Sequence, residues 1–343
     1  MERAAGSRGE PRRRHLAPLT AFCVFSAGGE RRVGRRDGAE VVELPYASLD
    51  DVFALGRAGW EELLERDGAR HELADVQLHL PFAVADFVDF YASLEHATNM
   101  GRLMRPGSEP LLPNWRHLPV GYHGRAGTVV VSGTEIVRPR GQLAPGTFAP
   151  TEKLDVEVEL GFVVGSAATR FRDAVFGVVV VNDWSARDIQ RFEYQPLGPF
   201  LGKSFATSIS AWVTPLALLD RAWVEPPRQE PEAPPHLRER AAVDVAFELE
   251  VNGEIVSRPN ARTLYWTPPQ LVAHLTSNGT TLRPGDLIAT GTISGPEPGS
   301  LIELGHPFLA DGDEVVIRAS AGPLELGEVR GRVLPAPAGP EAA

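Results

Sequence analysis

The sequence predicts an α+β protein that is mainly β, with a small N-terminal β-barrel-like domain and a large β-rich C-terminal domain. A chain of 343 residues is longer than one core usually fills. Its 34 glycines and 30 prolines follow no short period, which indicates many turns and argues against a helical bundle, a coiled coil or collagen. Short β-type runs are separated by long loops with few strand–helix alternations, so a doubly wound sheet is not expected.

The first part of the chain predicts a tail and a small β domain. Residues 1–20 are rich in arginine and are expected to form a disordered basic tail, and residues 21–78 to form the small, shortened β domain. Within it, residues 22–44 alternate short apolar stretches with glycine turns, which is typical of hairpins. Helical spacing of apolar residues then predicts helices over 60–67 and 83–100.

The rest of the chain, 79–336, predicts the large domain, followed by a short tail over 337–343. A turn-rich linker over 106–113 precedes its strands, and five prolines within 226–235 predict a surface loop, because proline cannot donate to a β-ladder. The predicted strands are 128–131, 155–164, 176–182, 243–251, 287–290, 314–319 and 324–333.

Charge and cysteine content exclude several classes of protein. The formal net charge is −11, from 34 basic and 45 acidic residues, so nonspecific nucleic-acid binding is disfavoured. The single cysteine, Cys23, cannot form an intrachain disulfide, and no apolar run reaches the roughly 18 residues of a membrane span. No apolar segment follows the basic start, so it does not resemble a secretory signal. We therefore expect a cytoplasmic protein that binds neither nucleic acid nor membranes.

Acidic residues cluster on one predicted strand. Side chains alternate across a strand, so Asp155, Glu157 and Glu159 should share one face. Two carboxylates roughly 7 Å apart repel each other, and a divalent cation with oxygen ligands would relieve that repulsion. The strand alone favours the simpler interpretation, a half-solvated edge strand whose acids face water.

Two further segments bring candidate groups to such a site. Asp183 follows a continuously apolar strand, at a position where sites tend to be built, although Asp183 or Ser185 would also serve as a helix N-cap. On the predicted helix over 83–100, Asp89 and His96 are seven residues apart and lie within about 20° of each other around the axis. A histidine so placed is a candidate base or a structural residue.

Several signatures are absent from the sequence. It has no His-Glu-x-x-His and no paired Cys-x-x-Cys, so zinc is disfavoured. Lys203 and Ser204 resemble the end of a phosphate loop whose first glycine is missing. No Gly-x-Gly-x-x-Gly follows a strand, so nicotinamide and flavin chemistry are not supported. Of the 34 basic residues, only Lys153 and Lys203 are lysines; either each supplies a compact ammonium charge that a planar guanidinium would not, or each is a surface lysine retained by chance.

Five long runs resemble the fumarylacetoacetate hydrolase family, in family order between about residues 80 and 333. The N-terminal part resembles the family's small β domain only weakly. The matching runs are 96–99 (HATN), 112–125 (LPNWRHLPVGYHGR), 182–190 (NDWSARDIQ), 196–204 (PLGPFLGKS) and 291–297 (GTISGPE).

The resemblance implies a catalytic domain of that family's type and a role for each matching residue. Hard cations prefer oxygen ligands, so Mg²⁺ or Ca²⁺ is expected at the metal site. The implied metal ligands are Asp89, Glu157, Glu159 and Asp183, with Lys203 and Thr207 near a second cation position. The implied catalytic residues are His96 as base, Glu303 as the acid that orients it, and Arg187, Gln190 and Lys203 as stabilisers of negative charge. The implied substrate-binding residues are Tyr91, Arg105, Tyr122, Gln190, Tyr194 and Thr292.

The activity that the resemblance implies is hydrolysis of a carbon–carbon bond in a dicarboxylate diketone, by an enzyme that is a homodimer. For the family this is cleavage of 4-fumarylacetoacetate to fumarate and acetoacetate in tyrosine and phenylalanine breakdown. One alternative is an acylpyruvate hydrolase, or an isomerase or decarboxylase with a similar carboxylate site. Another is a silent metal-binding protein, which would be expected to lose His96, Glu303 or Lys203.

Overall fold

The structure is a computed structural model that describes residues 20–338. The predicted basic tail lies outside these residues up to position 19, as does the predicted C-terminal tail from 339 onward. The N-terminal elements are β1 (Phe22–Ser26), β2 (Arg32–Asp37), β3 (Glu40–Leu44), α1 (Leu49–Phe53), α2 (Gly56–Glu62), β4 (Arg70–Glu72) and β5 (Gln77–His79). They form a curled antiparallel sheet in the order β4-β3-β2-β1-β5, and a turn with Gly38 at φ 64° joins β2 to β3.

The larger part of the chain contains nineteen further strands and five further α-helices among the described residues. The first half contains β6 (Phe87–Phe90), α3 (Leu94–Met104), β7 (Gly121–His123), β8 (Val129–Val131), β9 (Ile136–Val137), β10 (Arg140–Ala144), β11 (Thr147–Pro150), β12 (Leu154–Asp155), β13 (Val158–Val164), α4 (Phe171–Ala174), β14 (Val175–Asp183), β15 (Ser185–Ala186) and α5 (Arg187–Glu193). The second half contains β16 (Thr207–Ile209), β17 (Thr214–Pro215), β18 (Trp223–Val224), β19 (Ala242–Val243), β20 (Ala246–Val251), β21 (Glu254–Ser257), α6 (Pro268–Thr276), β22 (Leu287–Ala289), α7 (Leu301–Leu304), β23 (Glu314–Ala321) and β24 (Leu324–Leu334). Short 3₁₀ helices occupy Leu73–Asp75, Ala126–Thr128, Leu216–Ala222, Pro235–Leu237 and Ala261–Thr263.

Two large sheets build this part of the molecule. The first runs β7-β6-β22-β13-β14-β16-β8 and carries β17 beside β14; it is mixed, because β6 pairs with β22 and β16 with β8 in parallel. The second runs β21-β20-β23-β24-β9. The small pairs β10-β11, β12-β15 and β18-β19 lie outside these sheets. The predicted α+β, mainly β fold class is therefore confirmed.

The continuous valine run of β14 is explained by burial on both of its faces. Val178 and Val180 lie in the core that also contains residues of β20, β23 and β24. Val179 and Val181 point to the opposite core, which contains residues of β1 and β2. Because successive side chains on a strand face opposite sides, a strand between two cores is apolar at every position. The N-terminal sheet and the second large sheet thus cover the two faces of the first.

The helix predicted over 83–100 is wrong in its first half. Phe87–Phe90 is strand β6, hydrogen-bonded between β22 and β7, and the helix begins only after Ser93, whose hydroxyl accepts from the backbone N–H of His96. The apolar residues of 83–90 fit a helical period, but they alternate equally well on a strand that is buried by its neighbours. Asp89 and His96 therefore do not share a helix face.

Other predicted elements differ at their ends. The helix predicted over 60–67 is α2, which begins four residues earlier and ends at Glu62. The strand predicted over 243–251 is interrupted into β19 and β20, and the turn that follows has positive φ angles of 51° at Asn252 and 86° at Gly253. The proline-rich segment 226–235 is a loop, but Gln229 is buried within it and donates to the backbone oxygen of Tyr265. Within residues 20–338, no helix combines the length and the apolar character that crossing a bilayer requires.

Candidate active site

Four carboxylates converge at one end of the first large sheet. Asp89 lies on β6, Glu159 on β13 and Asp183 at the end of β14, and these strands are neighbours or are separated only by β22. Glu157 lies in the break between β12 and β13. One oxygen from each of the four side chains lies within 4.8 Å of the others. The strand order thus brings together acids that are as many as 94 residues apart in the sequence.

The burial of these acids corrects the simpler interpretation of the sequence. Asp155, Glu157 and Glu159 are at most 4% exposed, so they do not face water. The strand predicted over 155–164 is also broken, because Val156 and Glu157 belong to neither β12 nor β13. β13 is an interior strand of the sheet, paired on both sides by β14 and β22, rather than an edge strand.

Unpartnered oxygens in this cluster fit a divalent cation. Both carboxylate oxygens of Glu159 and Oδ1 of Asp89 are buried without a hydrogen-bond partner among residues 20–338. Buried polar atoms are normally paired, because leaving one unsatisfied costs about 1–3 kcal/mol. Within the described part of the chain, the lysine and arginine side chains that pair with these four carboxylates are Lys203 and Arg187, and His96 Nε2 lies 3.8 Å from Glu157. A hard cation with oxygen ligands would satisfy the free oxygens and offset the excess of negative charge.

Lys203 lies inside the carboxylate cluster. Its ammonium group donates to Glu157 Oε2 and, at 2.6 Å, to Asp183 Oδ2. Asp183 also accepts from Thr207 Oγ1 at 2.7 Å and from the hydroxyl of Tyr122 at 2.9 Å. Neither Asp183 nor Ser185 caps α5, whose N-cap is Ala186. Asp183 is therefore free to serve the cluster, and the structure places Lys203 and Thr207 in direct contact with it.

The pKa values in the cluster diverge because the charges are unevenly paired. Burial and the neighbouring Asp183 carboxylate raise the pKa of Asp89 to about 8. Burial, with Asp89 and Asp183 nearby, raises the pKa of Glu159 well above its usual range. Burial would raise the pKa of Glu157 too, but Lys203, Arg187 and His96 outweigh it and lower that pKa. In turn, Asp183 and Glu157 outweigh burial and raise the pKa of Lys203, which stays cationic.

Affinity for a divalent cation is expected to increase with pH. Asp89 and Glu159 have raised pKa values without a cation, so below about pH 8 the protein holds protons that a cation must displace. Each displaced proton changes the affinity about tenfold per pH unit below that pKa. Calorimetric titration with Mg²⁺ or Ca²⁺ in buffers of different ionisation enthalpy should detect release of at least one proton at about pH 7. Equal affinity at about pH 6.5 and pH 8.5 would contradict this prediction.

Arg187 is fixed on three sides, yet one of its donors is left free. Its Nε donates to Asp155 Oδ2 at 2.7 Å, and its Nη1 donates to Glu157 Oε1 at 2.7 Å and to Gln190 Oε1 at 3.2 Å. Its Nη2 is buried and has no hydrogen-bond partner among the residues that the structure describes. Burial would lower the pKa of Arg187, but Asp155 and Glu157 outweigh it and raise that pKa, so the guanidinium stays charged. A charged donor without a partner suits an anionic ligand.

His96 forms a buried pair with Glu303. Its Nδ1 lies 2.6 Å from Glu303 Oε2, and its Nε2 lies 3.8 Å from Glu157 Oε1. Glu303 also accepts from Asn99 Nδ2 at 3.0 Å, and from the hydroxyls of Ser294 at 3.0 Å and Ser300 at 2.7 Å. Burial would raise the pKa of Glu303, but His96 and the hydrogen bonds from Ser300 and Asn99 lower it to about 2. Glu303 is therefore an anion that holds the imidazole beside the cluster.

The remaining predicted binding residues differ in the contacts that they make. The ring of Tyr91 meets that of His96 edge-on at 5.3 Å, and the hydroxyl of Thr292 is buried without a partner. Arg105 lies at the end of α3, where Nη2 donates to the backbone oxygen of Pro110 and Nε is unpartnered. Tyr194 ends α5, and its hydroxyl accepts from Gln195 Nε2. Among the described residues, no side-chain hydrogen bond joins Arg105 or Tyr194 to the carboxylates.

Backbone geometry positions the loop that bears Thr292. Gly291 has φ 74°, and a Cβ atom there would lie 1.9 Å from the backbone oxygen of Phe90. Only glycine combines this conformation with so close an approach. The chain after β22 therefore turns against the end of β6, which brings Thr292 next to the Tyr91 segment.

Sequence reasoning from the residues missed the groups around Glu303 and Arg187. Asn99, Ser294 and Ser300 hold Glu303, and Asp155 holds Arg187, but none was selected as a site residue. One local signal was present, since Ser300 and Glu303 are spaced like the serine and glutamate of a capping box. The other contacts join residues that are far apart in the sequence, so no local sequence pattern predicts them.

Known proteins resemble this chain along most of its length. The family model described as fumarylacetoacetate (FAA) hydrolase C-terminal matches residues 86–334. The fumarylacetoacetase of Rattus norvegicus is 42% identical over 333 residues, covering 84% of this chain and 80% of the relative. The fumarylacetoacetase of Homo sapiens is 41% identical over 350 residues, covering 84% of each chain. That of Arabidopsis thaliana is 38% identical and covers 84% of this chain and 83% of the relative.

Solved structures share the fold at lower sequence identity. A fumarylacetoacetate hydrolase from psychrophilic Exiguobacterium antarcticum superposes with a TM-score of 0.63 and 21% identity, covering 92% of this chain and 99% of its own. A maleylpyruvate hydrolase from Sphingobium superposes with a TM-score of 0.58 and 20% identity, covering 92% and 100%. These two likenesses concern the fold alone.

The fold and the centre together define an enzyme with a buried carboxylate cluster that can bind a divalent metal. A histidine–glutamate pair stands next to that cluster, an arrangement that suits general-base catalysis. The family model covers most of the chain, and relatives near 40% identity cover more than four fifths of it. The chain belongs to the fumarylacetoacetate hydrolase family.

Proposed function

We propose that this protein is a hydrolase that cleaves 4-fumarylacetoacetate into fumarate and acetoacetate, the last step of tyrosine and phenylalanine breakdown. The observation that carries the proposal is the buried His96–Glu303 pair beside four convergent carboxylates. Identity of 38–42% to the fumarylacetoacetases described above supports this particular substrate. The activity would be that of a hydrolase acting on carbon–carbon bonds in ketonic substances.

The proposed metal ligands are Asp89, Glu157, Glu159 and Asp183, with Lys203 and Thr207 beside them. The free buried oxygens of Glu159 and Asp89 support this assignment, because a hard cation needs such donors. Mg²⁺ or Ca²⁺, when bound, would polarise the carbonyl under attack and stabilise the enolate that leaves as the carbon–carbon bond breaks.

The protein's own groups account for the proton transfers. Glu303 accepts a hydrogen bond from His96 Nδ1, which leaves Nε2 as the atom that takes a proton from water. The hydroxide adds to the carbonyl carbon of the fumaryl group, and the bond from that carbon to the methylene carbon of the acetoacetyl group breaks. The proton held on Nε2 then passes to that methylene carbon, which gives acetoacetate, and the new carboxyl group of fumarate releases the remaining proton of the water to solvent.

Charged hydrogen-bond donors next to the cluster would stabilise the negative charge that develops on the substrate oxygen during the reaction. Arg187 has a free buried Nη2, and Lys203 stays cationic because Asp183 and Glu157 raise its pKa. Loss of one such donor typically costs about a hundredfold or more in kcat. We assign Gln190, which contacts Arg187, to the same group. Substrate carboxylates and carbonyls would be held by Tyr91, Arg105, Tyr122, Gln190, Tyr194 and Thr292.

The substrate assignment is tested by comparing turnover of fumarylacetoacetate with that of acylpyruvates, following the loss of enol absorbance. We expect kcat/KM for fumarylacetoacetate to exceed that for acylpyruvates by at least about tenfold, since a pocket built for a second carboxylate discriminates against substrates that lack it. Equal or faster hydrolysis of acylpyruvates would transfer the protein to that substrate class. Absence of turnover with either class, at saturating Mg²⁺ or Ca²⁺, would support a silent metal-binding protein.

We also propose that the protein is a cytoplasmic homodimer. Leu197 and Phe200, in the loop between α5 and β16, are 97% and 67% exposed, and exposed apolar side chains of this size are often covered in an assembly. Light scattering on the intact protein distinguishes the 37.1 kDa monomer from a dimer.

A further inference from the structure

Asp155 is a fully buried carboxylate next to the cluster but outside the set of four converging acids. It is the last residue of β12, and its two oxygens accept hydrogen bonds from two different parts of the centre. Oδ2 accepts from Arg187 Nε at 2.7 Å. Oδ1 accepts from the backbone N–H of Leu301 at 2.8 Å, and Oδ2 lies 3.4 Å from that of Ile302. A further bond comes from the backbone N–H of Val156.

The contacts to Leu301 and Ile302 fix the start of the short helix that bears Glu303. The first backbone N–H groups of a helix have no partner within it and need an acceptor from elsewhere. Ser300 is the N-cap of α7, but its hydroxyl donates to Glu303 Oε2 and caps no backbone group. Asp155 supplies the missing acceptor, and Glu303 is only one residue beyond Ile302. The position of Glu303 relative to His96 therefore depends on Asp155.

The contact to Arg187 fixes the other charged group of the centre. A guanidinium is planar and rigid, so holding Nε and Nη1 also determines where Nη2 lies. Asp155 holds Nε, and Glu157 holds Nη1. Without Asp155, Arg187 would be held only at Nη1, by Glu157 and Gln190, and the guanidinium would be able to rotate about that atom. One buried carboxylate thus fixes the positions of both Arg187, the proposed donor to the negative charge, and Glu303, the acid that orients His96.

We propose that Asp155 is a positioning residue of the reaction, which acts through Arg187 and Glu303 and does not touch substrate or cation. The inference rests on the proposed hydrolase function and adds a residue to that site. Since a displacement of about 1 Å in a catalytic group can cost on the order of a hundredfold in rate, its removal should lower kcat far more than it changes KM.

The test is Asp155→Asn, which keeps the size of the side chain. Either orientation of the new amide sets an NH₂ group against an existing donor, at Arg187 or at Leu301. We expect kcat to fall about tenfold to a hundredfold while KM stays within about threefold. The matched control is Asp286→Asn. Asp286 is also buried, accepts a hydrogen bond from the backbone N–H of Arg283 and pairs with the guanidinium of that residue, but it lies outside this centre. The control should retain kcat.

A double variant and a spectroscopic signal separate positioning from a general loss of stability. Combining Asp155→Asn with Arg187→Lys should lower kcat by less than the product of the two single effects, since both changes remove the contact between Asp155 and Arg187, and only the effect through Glu303 is left to add. The ¹H–¹⁵N resonance of Arg187 Nε should be protected from exchange in the unaltered protein and lose that protection in Asp155→Asn. Multiplicative effects on kcat, or an unchanged Nε resonance, would overturn the inference.

Failure of the proposed function gives a different result. If the unaltered protein hydrolyses neither fumarylacetoacetate nor an acylpyruvate, the hydrolase assignment fails, whereas the Nε resonance still reports whether Asp155 holds Arg187. If the unaltered protein is active and Asp155→Asn matches it in kcat, the hydrolase assignment stands and the role of Asp155 is refuted.

Discussion

Replacing Glu159 with glutamine is expected to abolish cation binding and turnover while leaving the cation-free protein at least as stable as before. Both oxygens of Glu159 are buried without a hydrogen-bond partner, so the amide breaks no existing contact. Burial and the nearby Asp89 and Asp183 carboxylates raise the pKa of Glu159, which means that its charge is unfavourable in the absence of a cation. A neutral side chain of the same shape removes that cost together with a ligand.

The sign of the stability effect follows from this raised pKa. A carboxyl whose folded pKa exceeds its unfolded value binds protons more tightly when folded, so the cation-free protein loses stability as pH rises from the unfolded pKa through the folded one. Glutamine cannot ionise and avoids the loss. Thermal unfolding with chelator and with excess Mg²⁺ or Ca²⁺ measures both effects: the unaltered protein should be stabilised by cation, and Glu159→Gln should not.

A neighbouring substitution supplies the contrast. Glu157 is paired with Lys203 and Arg187, so Glu157→Gln leaves two buried cations with fewer partners and should destabilise the protein by about 3–5 kcal/mol even without cation. Glu248 forms a surface ion pair with Arg258. Glu248→Gln should therefore change the free energy of unfolding by no more than about 1 kcal/mol and should leave cation binding unchanged. A Glu159→Gln protein that still gains stability from cation would refute the assignment of Glu159 as a ligand.

The sheet at the centre of the molecule could be predicted in part from the sequence, because burial leaves a direct signature there. The valines of β14 are apolar at every position because two cores cover the strand, and the run predicts a buried strand. The glycine turns predicted within residues 22–44 include the one at Gly38, whose positive φ angle of 64° glycine adopts without strain. Where the neighbours of a segment decide its structure, as for β6, helical and strand periods of the same apolar residues cannot be separated.

The acids of the site illustrate the same limit. The alternation of side chains predicts that Asp155, Glu157 and Glu159 share one face of a continuous strand. In the structure the strand is interrupted at Glu157, and the three side chains have different partners. Glu159 has none, Glu157 pairs with two cations, and Asp155 holds Arg187 and the start of α7. Strand periodicity specifies direction, but it contains no information on which distant segment arrives opposite. The resemblance to a family assigns Glu157 and Glu159 as metal ligands, whereas the strand pattern alone does not distinguish ligands from acids that face water.

The site residues near His96 show what a local pattern can supply. Ser300 and Glu303 have capping-box spacing, but in the structure the glutamate turns to His96, and Asp155 accepts from the helix N–H groups. The spacing of the motif is visible in the sequence. The partners of its side chains depend on tertiary contacts between segments more than 140 residues apart. A local motif and a functional site thus compete for the same side chains.

Replacing His96 with alanine is expected to lower kcat by a factor of about a hundred to ten thousand, the range that a positioned general base contributes. Glu303 is a firm anion, with a pKa of about 2, and is held by Asn99, Ser294 and Ser300 as well as by His96. It should therefore stay in place when the imidazole is removed. Since His96 Nε2 lies 3.8 Å from Glu157 and is not a member of the carboxylate set, cation affinity should change little.

Three measurements make the His96→Ala result specific. Calorimetric titration with Mg²⁺ or Ca²⁺ should give an affinity within about threefold of the unaltered protein, because its carboxylates remain. Added imidazole should restore part of kcat, since the buried space left by the side chain lies directly beside Glu303. His274→Ala, on α6 and outside the site, should retain kcat and so control for the loss of a partly buried histidine. If His96→Ala keeps kcat at saturating cation, the group that deprotonates water lies elsewhere in the centre.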